Sequence, residues 1–400
     1  MHRRTTRPAQ RTRRDTRTRK GQEMEASVGA LRGRVAADIA GKDGAAVTRA
    51  WAIVGAGFMA FMLYVVYHWV TAPYFGPTRL PEGVEVPLNF KIGVRAVELG
   101  MSIVWLYFIY TQIWKPIRQT GQPNTLGLLG IGFFFAIFWD PSMNWIQQGC
   151  VYNPYAFNMG FLSGEIPGWM SPRANLLPEP LIAWSGGYPG FLIWGCLFGL
   201  AAMRWTKARF PSITNLRLGI VGVLAVMFFD MVLEMALIRF TGIYAYPGSI
   251  RALSIFGGHW YQFPIYEAIF FGGWWGLCAV LLYFKDDKGL TWVERGVEKM
   301  DFCKRSNFRK GMVRAIAVIG FCQTVELFIY VLPMPLITAN ADPFPDDTPA
   351  FFTVGTGMCG PGTGLACPRP DLPIMRRNDL EKFSATPQIA HEQAPVAVGQ

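Results

Sequence analysis

Seven long apolar stretches constrain this 400-residue chain more than any other feature of its sequence. A helix needs about 20 mostly apolar residues to cross a hydrocarbon core of roughly 30 Å, and each stretch meets that length. Only 16% of the residues are charged while 51% are apolar, which is typical of a membrane protein rather than of a soluble or disordered chain. We therefore predict an all-α, polytopic helical bundle in the cell membrane. Its predicted spans are residues 51–71, 92–114, 126–147, 181–203, 216–237, 260–284 and 312–332.

The distribution of basic residues predicts the orientation of the bundle. The first 50 residues hold 13 Lys and Arg against 5 Asp and Glu, so this arm carries +8 of the net charge of +11. Of the 38 Lys and Arg, 28 fall on the side of the alternating spans that holds the N-terminus. Because cytoplasmic loops are enriched in basic residues, we predict a cytoplasmic N-terminus and an outer C-terminus. The basic arm is expected to contact anionic lipid headgroups rather than nucleic acid.

Composition divides the chain into three parts. Residues 1–50 are predicted to be a disordered basic arm, residues 51–335 a seven-helix membrane domain, and residues 336–400 a Pro- and Gly-rich, disordered outer tail. Residues 148–186, here called the cap, lack a helical period but carry few charges, which predicts an ordered outer segment. Cys359 and Cys367 in the tail are eight residues apart, so a small disulfide loop is possible on the oxidising side.

Carboxylates inside the predicted spans are the strongest indication of function. A charged residue at membrane depth costs about 2.5–3.5 kcal/mol on insertion scales, so such residues mark function or tight pairing. At about 1.5 Å of rise per residue, all six are predicted to lie in one layer in the outer half of the bilayer. Pro141 directly follows one of them and is expected to break its helix there. The six are Glu98, Asp140, Asp230, Glu234, Glu267 and Glu326.

The pair Asp230 and Glu234 is the first candidate for catalysis. The two are four residues apart, so both carboxyl groups lie on one helix face, about 6 Å apart. Two acids so close in a low dielectric cannot both ionise easily, which leaves a proton donor beside an anion. Asp140 and Glu267 are further catalytic candidates, and His259 is a candidate proton relay.

Structural roles compete with these assignments. Intramembrane acids can simply accept hydrogen bonds from other helices and hold the bundle together. Arg95 and Glu98 are three residues apart and are predicted to form a structural ion pair. Tryptophans at span ends commonly form interfacial belts, although their faces could also stabilise a cation. The predicted substrate-binding residues are Trp145, Asn153, Tyr155, Asn158, Trp169, Trp260 and Tyr266.

Four sequence blocks resemble the AveC-like spirocyclase family of actinobacterial membrane proteins. They are DPSMNW at 140–145, NPYAFNMG at 153–160, IPGW at 166–169 and HWYQFPIYE at 259–267. The resemblance spans about residues 51–335. It implies an integral membrane protein related to enzymes of polyketide secondary metabolism that close dihydroxy-ketones into spiroketals, in some cases with dehydration. No residue role is transferred from the family.

These features favour acid-catalysed cyclisation of a hydrophobic polyketide- or lipid-like molecule, with no cofactor. A membrane terpene-type cyclase or isomerase would use the same acids and aromatic walls. A proton-coupled transporter or a scaffold protein is the alternative outside enzymes, although no inverted repeat is evident. The sequence lacks the motifs G-x-x-x-x-G-K-[ST], H-E-x-x-H and G-x-S-x-G, which argues against nucleotide hydrolysis, zinc proteolysis and lipase-type catalysis.

Overall fold

Seven long helices make up most of the molecule. The computed structural model describes residues 45–78, 80, 82–353, 359–360, 366–374 and 376. The described helices that are long and apolar enough to cross a membrane are α1 (Ala45–Thr71), α2 (Leu88–Thr120), α3 (Thr125–Asn144), α4 (Leu181–Arg209), α5 (Asn215–Thr241), α6 (Ile265–Tyr283) and α7 (Asn307–Thr338). The predicted seven membrane-capable helices are confirmed. Residues 1–44 of the predicted arm lie outside the described residues, and residues 45–50 belong to α1.

Burial separates an inner from an outer set of helices. In their most apolar windows, α3 and α6 are each 72% buried and α4 is 67% buried, whereas the values for α1, α2 and α5 are 17%, 28% and 22%. The three outer helices therefore present most of their surface away from the protein. On α5 the buried residues recur every four positions, so they form a single stripe along the helix. The stripe consists of Leu218, Gly222, Val226, Asp230, Glu234 and Ile238.

Glycines bring α5 and α6 into close contact. A Cβ atom on Gly276 would lie 2.7 Å from the Cα of Val223, and one on Gly272 would lie 2.9 Å from the Cα of Met227. Both contacts are closer than real Cβ atoms allow, so these positions require glycine. Small residues at such spacing let membrane helices pack backbone to backbone. The contact places the acidic stripe of α5 directly against α6.

Helix α3 changes its geometry before the predicted break at Pro141. It is α-helical over Thr125–Phe134, becomes a 3₁₀ helix over Phe135–Phe138, and resumes as 3₁₀ over Asp140–Asn144. Proline at the second position of that last turn cannot donate a hydrogen bond to the helix. Helix α7 contains a π-helical segment, Leu327–Val331, at the same end of the bundle.

The cap is folded against the end of the bundle that holds this break. Strand β1 (Val151–Tyr152) in the cap pairs antiparallel with β2 (Tyr244–Ala245), which follows α5. A second pair, β3 (Ser254–Ile255) with β4 (Phe263–Pro264), precedes α6. The last six residues of the cap are the first turns of α4. The two strands β1 and β2 thus lie over the ends of the helices that carry the acids.

The opposite end is held together by a buried ion pair. Arg314 of α7 and Glu294 in the α6–α7 connection lie 2.7 Å apart, and both are almost completely buried. The guanidinium also donates to the Gln122 side chain at 2.9 Å and to the Thr125 hydroxyl at 3.2 Å. A buried charge pair is tolerated when its remaining hydrogen-bonding groups are satisfied, as they are here. The network fixes the α6–α7 connection to the start of α3.

The prediction of a disordered tail from residue 336 is wrong for its first part. Helix α7 continues to Thr338, and Phe344, Phe351 and Phe352 are buried in the main core. Aromatic side chains outweigh the Pro and Gly content here because the bundle offers an apolar surface for them to cover. The disulfide between Cys359 and Cys367 is present. Residues 377–400 lie outside the described residues.

The glycine contacts predict opposite effects for one substitution at two sites. Gly276→Ala should destabilise the protein by about 1–3 kcal/mol, because the added methyl group meets the backbone of α5. Gly100→Ala on α2 meets nothing within 4 Å and should be neutral or stabilising by up to about 1 kcal/mol. Unfolding in detergent measures both, and equal effects of the two substitutions would contradict the packing account.

Candidate active site

A small, largely buried cavity lies between α3, α4, α5, α6, α7 and the strands β1 and β2. Three carboxylates line it, Asp140, Asp230 and Glu234, and we call it the acid cavity. Its volume is about 50 Å³. That is room for a few water molecules at about 10–15 Å³ each, and far below the roughly 300–1,000 Å³ of pockets for drug-sized ligands. A substrate could enter only with movement of the surrounding elements.

Helix α5 supplies two of the carboxylates from its buried stripe. Tyr246, just after β2, donates a hydrogen bond to Oε2 of Glu234 at 2.7 Å. Oδ2 of Asp230 is buried and has no hydrogen-bond partner among the described residues. The same atom lies 3.1 Å from where a Cβ of Gly272 would be, so the glycine leaves space for this carboxyl group. One acid of the pair is therefore oriented by a phenol and the other is free to bond a ligand.

Asp140 and Glu267 approach the pair from α3 and α6. The hydroxyl of Tyr330 donates to the backbone carbonyl of Asp140 at 2.8 Å, and the Glu267 carboxyl lies beside the same hydroxyl. Glu267 is fully buried, and neither of its oxygens has a hydrogen bond of normal geometry within the described part of the chain. The Tyr188 hydroxyl faces Asp140, likewise without such a bond. Four carboxyl groups from three helices are thus within electrostatic reach of one another.

Tyrosines surround these acids. Tyr152, Tyr188, Tyr244, Tyr246 and Tyr330 all line the acid cavity. For the three outside the helices, at positions 152, 244 and 246, burial and then nearby acidic groups raise the pKa of the phenol well above its usual range. These phenols therefore keep their protons and act as hydrogen-bond donors toward the cavity. The rest of the wall consists of four aromatic residues, Trp184, Phe191, Phe271 and Trp275, and five others, Met143, Cys150, Leu192, Leu233 and Leu237.

Four residues at or beside this cavity carry buried polar atoms without a hydrogen-bond partner, and other such atoms lie elsewhere among the described residues. Buried polar groups in native proteins almost always have a hydrogen-bond partner, so exceptions need an explanation. Within the described residues, Asp230, Glu267, Tyr188 and the indole nitrogen of Trp184 each have a buried atom without one. This cluster is suited to a polar ligand that supplies the missing bonds.

Comparison with known protein families assigns the chain to a family. A profile of the family described as spirocyclase AveC-like matches residues 122–353. The chain belongs to this family. The match covers more than half of the chain and includes every residue that lines the acid cavity. It begins after α2 and runs past α7, so it starts later and ends later than the predicted resemblance. No curated protein and no solved structure matches the chain.

The family match does not assign residue roles, so the predicted site residues are judged by position alone. Asp140, Asp230 and Glu234 meet at the cavity as the depth argument predicts, and Glu267 lies next to it. Glu326 accepts a hydrogen bond from Gln323 at 3.1 Å and is not among the lining residues. Of the six carboxylates predicted to lie in one layer, four therefore form one cluster. Glu326 lies close to this cluster and Glu98 lies apart from it.

His259 is not placed to relay protons to these acids. Its Nδ1 lies 3.0 Å from Asp347, and more than half of its side chain is exposed. His259 lies on the connection between β3 and β4, before α6 begins, and it is not among the residues that line the cavity. The neighbouring Trp260 donates its backbone N–H to Asp347 at 2.8 Å, and the Tyr266 hydroxyl accepts a hydrogen bond from the backbone of Ile250 at 3.3 Å.

The predicted substrate-binding amides hold the cap in place. Asn153 donates from its side chain to the Gly242 carbonyl at 2.9 Å, next to the β1–β2 pair. The side-chain oxygen of Asn158 accepts a hydrogen bond from the Thr78 backbone at 2.8 Å. Neither residue lines the acid cavity. Both satisfy backbone groups of an irregular segment, which is the common use of asparagine in loops.

The ion pair predicted between Arg95 and Glu98 is present. The second oxygen of Glu98 accepts the backbone N–H of Phe157 in the cap at 2.7 Å. The guanidinium of Arg95 lies over the Tyr155 ring, 4.4 Å from its centroid, and donates to the Tyr155 carbonyl at 3.1 Å. Tyr155 thus belongs to this cap-to-α2 contact rather than to the acid cavity.

Trp145 and Trp169 form a separate pair. Their ring centroids are 5.0 Å apart, and the indole of Trp145 donates to the Gly168 carbonyl at 2.9 Å. Trp145 lines an apolar groove on the other side of α3, while Trp169 packs on Phe161.

The sequence reasoning missed the tyrosines that line the acid cavity. Tyr244 and Tyr246 flank Ala245 shortly after Glu234, which was the available signal for these two tyrosines.

Glu179 is a further carboxylate that the sequence reasoning missed. It lies between two prolines just before α4, is only 2% exposed, and accepts one backbone hydrogen bond from Leu162 at 3.2 Å. Burial, and then the nearby Asp140 carboxyl, raise the pKa of Glu179 well above its ordinary value of 4.5.

Among the described residues, no group of three His, Cys, Asp or Glu is arranged to hold a metal ion.

The buried carboxyl of Glu179 predicts a pH-dependent stability difference. A raised pKa in the folded state means that stability falls as pH rises from about 4.5 toward the folded pKa. Glu179→Gln removes this loss of stability. The thermal stability of the variant in detergent should therefore exceed that of wild type, and the difference should be larger at pH 8 than at pH 5. Glu85→Gln, at an exposed glutamate, is the matched control and should show no such change. Parallel pH profiles for wild type and Glu179→Gln would contradict the assignment.

Proposed function

We propose that this protein catalyses acid-promoted cyclisation of a hydrophobic polyketide- or lipid-like hydroxy-ketone, forming a spiroketal or a dehydrated ring, within the plane of the cell membrane. Its membership of the spirocyclase AveC-like family supports the reaction class. The observation that carries the proposal is the meeting of Asp140, Asp230 and Glu234 at one small, aromatic-walled cavity. The charge distribution of the sequence supports a cytoplasmic N-terminus and an outer C-terminus.

Spiroketal closure requires proton transfers in both directions but no oxidant or reductant. One hydroxyl of a dihydroxy-ketone adds to the carbonyl carbon and gives a hemiketal. A carboxylic acid then protonates the hemiketal hydroxyl, which leaves as water and generates an oxocarbenium ion. The second hydroxyl attacks that carbon and gives its proton to a carboxylate, so the net products are the spiroketal and one water. Paired carboxyl groups serve the same two roles in glycoside hydrolysis.

Asp230 and Glu234 are the proposed source of the proton. The two carboxyl groups share one helix face and are almost completely buried, so two neighbouring anions there would repel strongly. The hydrogen bond from Tyr246 stabilises negative charge on Glu234. Asp230, whose Oδ2 has no partner among the described residues, is then the member free to carry and donate a proton.

Asp140 and Glu267 are proposed to stabilise the oxocarbenium ion and to accept the returning proton. They approach from α3 and α6, on other helices than the donor pair. Trp184, Phe191 and Trp275 line the same space, and aromatic faces attract cations. Because His259 contacts Asp347 instead of these acids, it has no role in the proposed proton transfers.

The aromatic wall also favours a second candidate, a terpene-type cyclase or isomerase. Such an enzyme would protonate an alkene or epoxide with the same acid pair and shelter a carbocation against the same rings. The two candidates differ in the substrate, because only a hydroxy-ketone loses water through an oxocarbenium ion. Incubation with hydroxy-ketones and with isoprenoids therefore separates them.

Substitution of the acid pair tests the proposed function. Asp230→Asn and Glu234→Gln keep the shape of the side chains but remove the exchangeable proton, so cyclisation of a dihydroxy-ketone in proteoliposomes should slow by about 10²–10⁴-fold. Glu326→Gln is the matched control, a buried intramembrane glutamate that does not line the cavity, and should retain most of the activity. Full turnover by both Asp230→Asn and Glu234→Gln would refute the proposed chemistry.

A further inference from the structure

A second concave region lies outside the acid cavity, between α1, α3, α7 and the cap. We call it the apolar groove. Its volume is about 420 Å³, and among its lining residues are Phe61 of α1, Trp139 of α3, Ile166 of the cap and Val331 of α7. It continues past Phe61 and Trp139 into a further hollow of about 420 Å³ along α1, where Gly57 has nothing within 4 Å of a Cβ position.

The groove has a buried floor and a rim that faces away from the protein. Trp139, Ile166 and Val331 on the floor are almost completely buried, whereas Leu332 and Leu336 on the rim are exposed by 51% and 68%. Both rim residues belong to a helix capable of crossing a membrane. The groove therefore opens on the outer face of a membrane-capable helix, and a long alkyl chain matches its apolar lining.

The groove and the acid cavity share a wall. Trp139 lines the groove and the next residue, Asp140, lines the cavity. On α7, Val331 lines the groove and the preceding residue, Tyr330, lines the cavity. The Tyr330 hydroxyl bonds the Asp140 carbonyl at 2.8 Å across this wall. Adjacent residues on each of two helices thus line the two spaces.

Both sides of the wall lack regular α-helical geometry. Asp140–Asn144 is a 3₁₀ turn and Leu327–Val331 is a π-helical segment. Such segments are frequent at functional sites and mark places where helices adjust. A small displacement of either segment would join the groove to the acid cavity.

We propose that the apolar groove binds the hydrocarbon chain of the substrate, while its oxygenated end reaches the acids through the wall formed by Trp139–Asp140 and Tyr330–Val331. The inference rests on the proposed function. It also accounts for the small acid cavity, because only the reacting atoms need to fit there and the chain lies in the larger groove. The proposed opening lies between a 3₁₀ turn and a π-helical segment, which both depart from α-helical geometry.

A photoreactive substrate analogue tests the location of the chain. The probe is a dihydroxy-ketone with a 16-carbon alkyl chain that ends in a diazirine, added to the full-length protein in phosphatidylglycerol nanodiscs. Crosslinked peptides should map to α7 between 327 and 336 and to the cap between 166 and 170, and an unlabelled long-chain dihydroxy-ketone should suppress them. Equal suppression by added phosphatidylglycerol, or crosslinks spread over the exposed faces of α2 and α5, would overturn the proposal.

A rim substitution gives a second readout. Leu336→Trp fills the groove from an exposed position, so it should raise KM for the long-chain dihydroxy-ketone about tenfold and leave a short-chain analogue and kcat unchanged. Leu106→Trp, at a position of α2 that is 66% exposed, is the matched control. If the KM of Leu336→Trp for the long-chain dihydroxy-ketone is unchanged, the groove assignment is overturned while the proposed function stands. Absence of turnover of either ketone by wild type refutes the proposed function, and the crosslinking then decides the groove separately.

Discussion

The cost of placing carboxylates among hydrocarbon governs the rest of this structure. A charged side chain at membrane depth costs about 2.5–3.5 kcal/mol even on the most lenient scale, so the acids must face protein. On α5, Asp230 and Glu234 lie on the one stripe that is buried, while Phe228 on another face is 58% exposed. Glycines on α6 complete the arrangement, because Gly272 leaves room for both the α5 backbone and the Asp230 carboxyl.

Burial of the acids in turn determines what the other elements must provide. A buried cluster of carboxyl groups needs donors, and phenols that keep their protons supply them without adding charge. Tyr246 bonds Glu234, and Tyr330 fixes the broken turn of α3 through the Asp140 carbonyl. The cap brings Tyr152 over the cavity through the β1–β2 pair. Cap residues that do not line the cavity, such as Asn153, therefore stabilise the cap that positions Tyr152.

Sequence reasoning predicted the elements that follow from local patterns. Span length identified the seven helices, and i to i+4 spacing placed Asp230 and Glu234 on one face. The residues it missed depend on tertiary contacts. Tyr244 and Glu179 reach the acids only because β1 pairs with β2 and the cap folds back. His259 was wrongly assigned because counting residues along a helix extended α6 to residue 260, whereas it begins at Ile265.

The proposed acid cluster closes a ring with loss of water, so cells without the protein should retain an unclosed precursor. Comparative metabolite profiling can detect it in a strain that lacks this protein, complemented with wild type or with Asp230→Asn. We expect the deletion strain and the Asp230→Asn strain to accumulate a precursor that is heavier by one water than the product that wild type restores. Identical profiles in all strains, or full restoration of the product by Asp230→Asn, would contradict it.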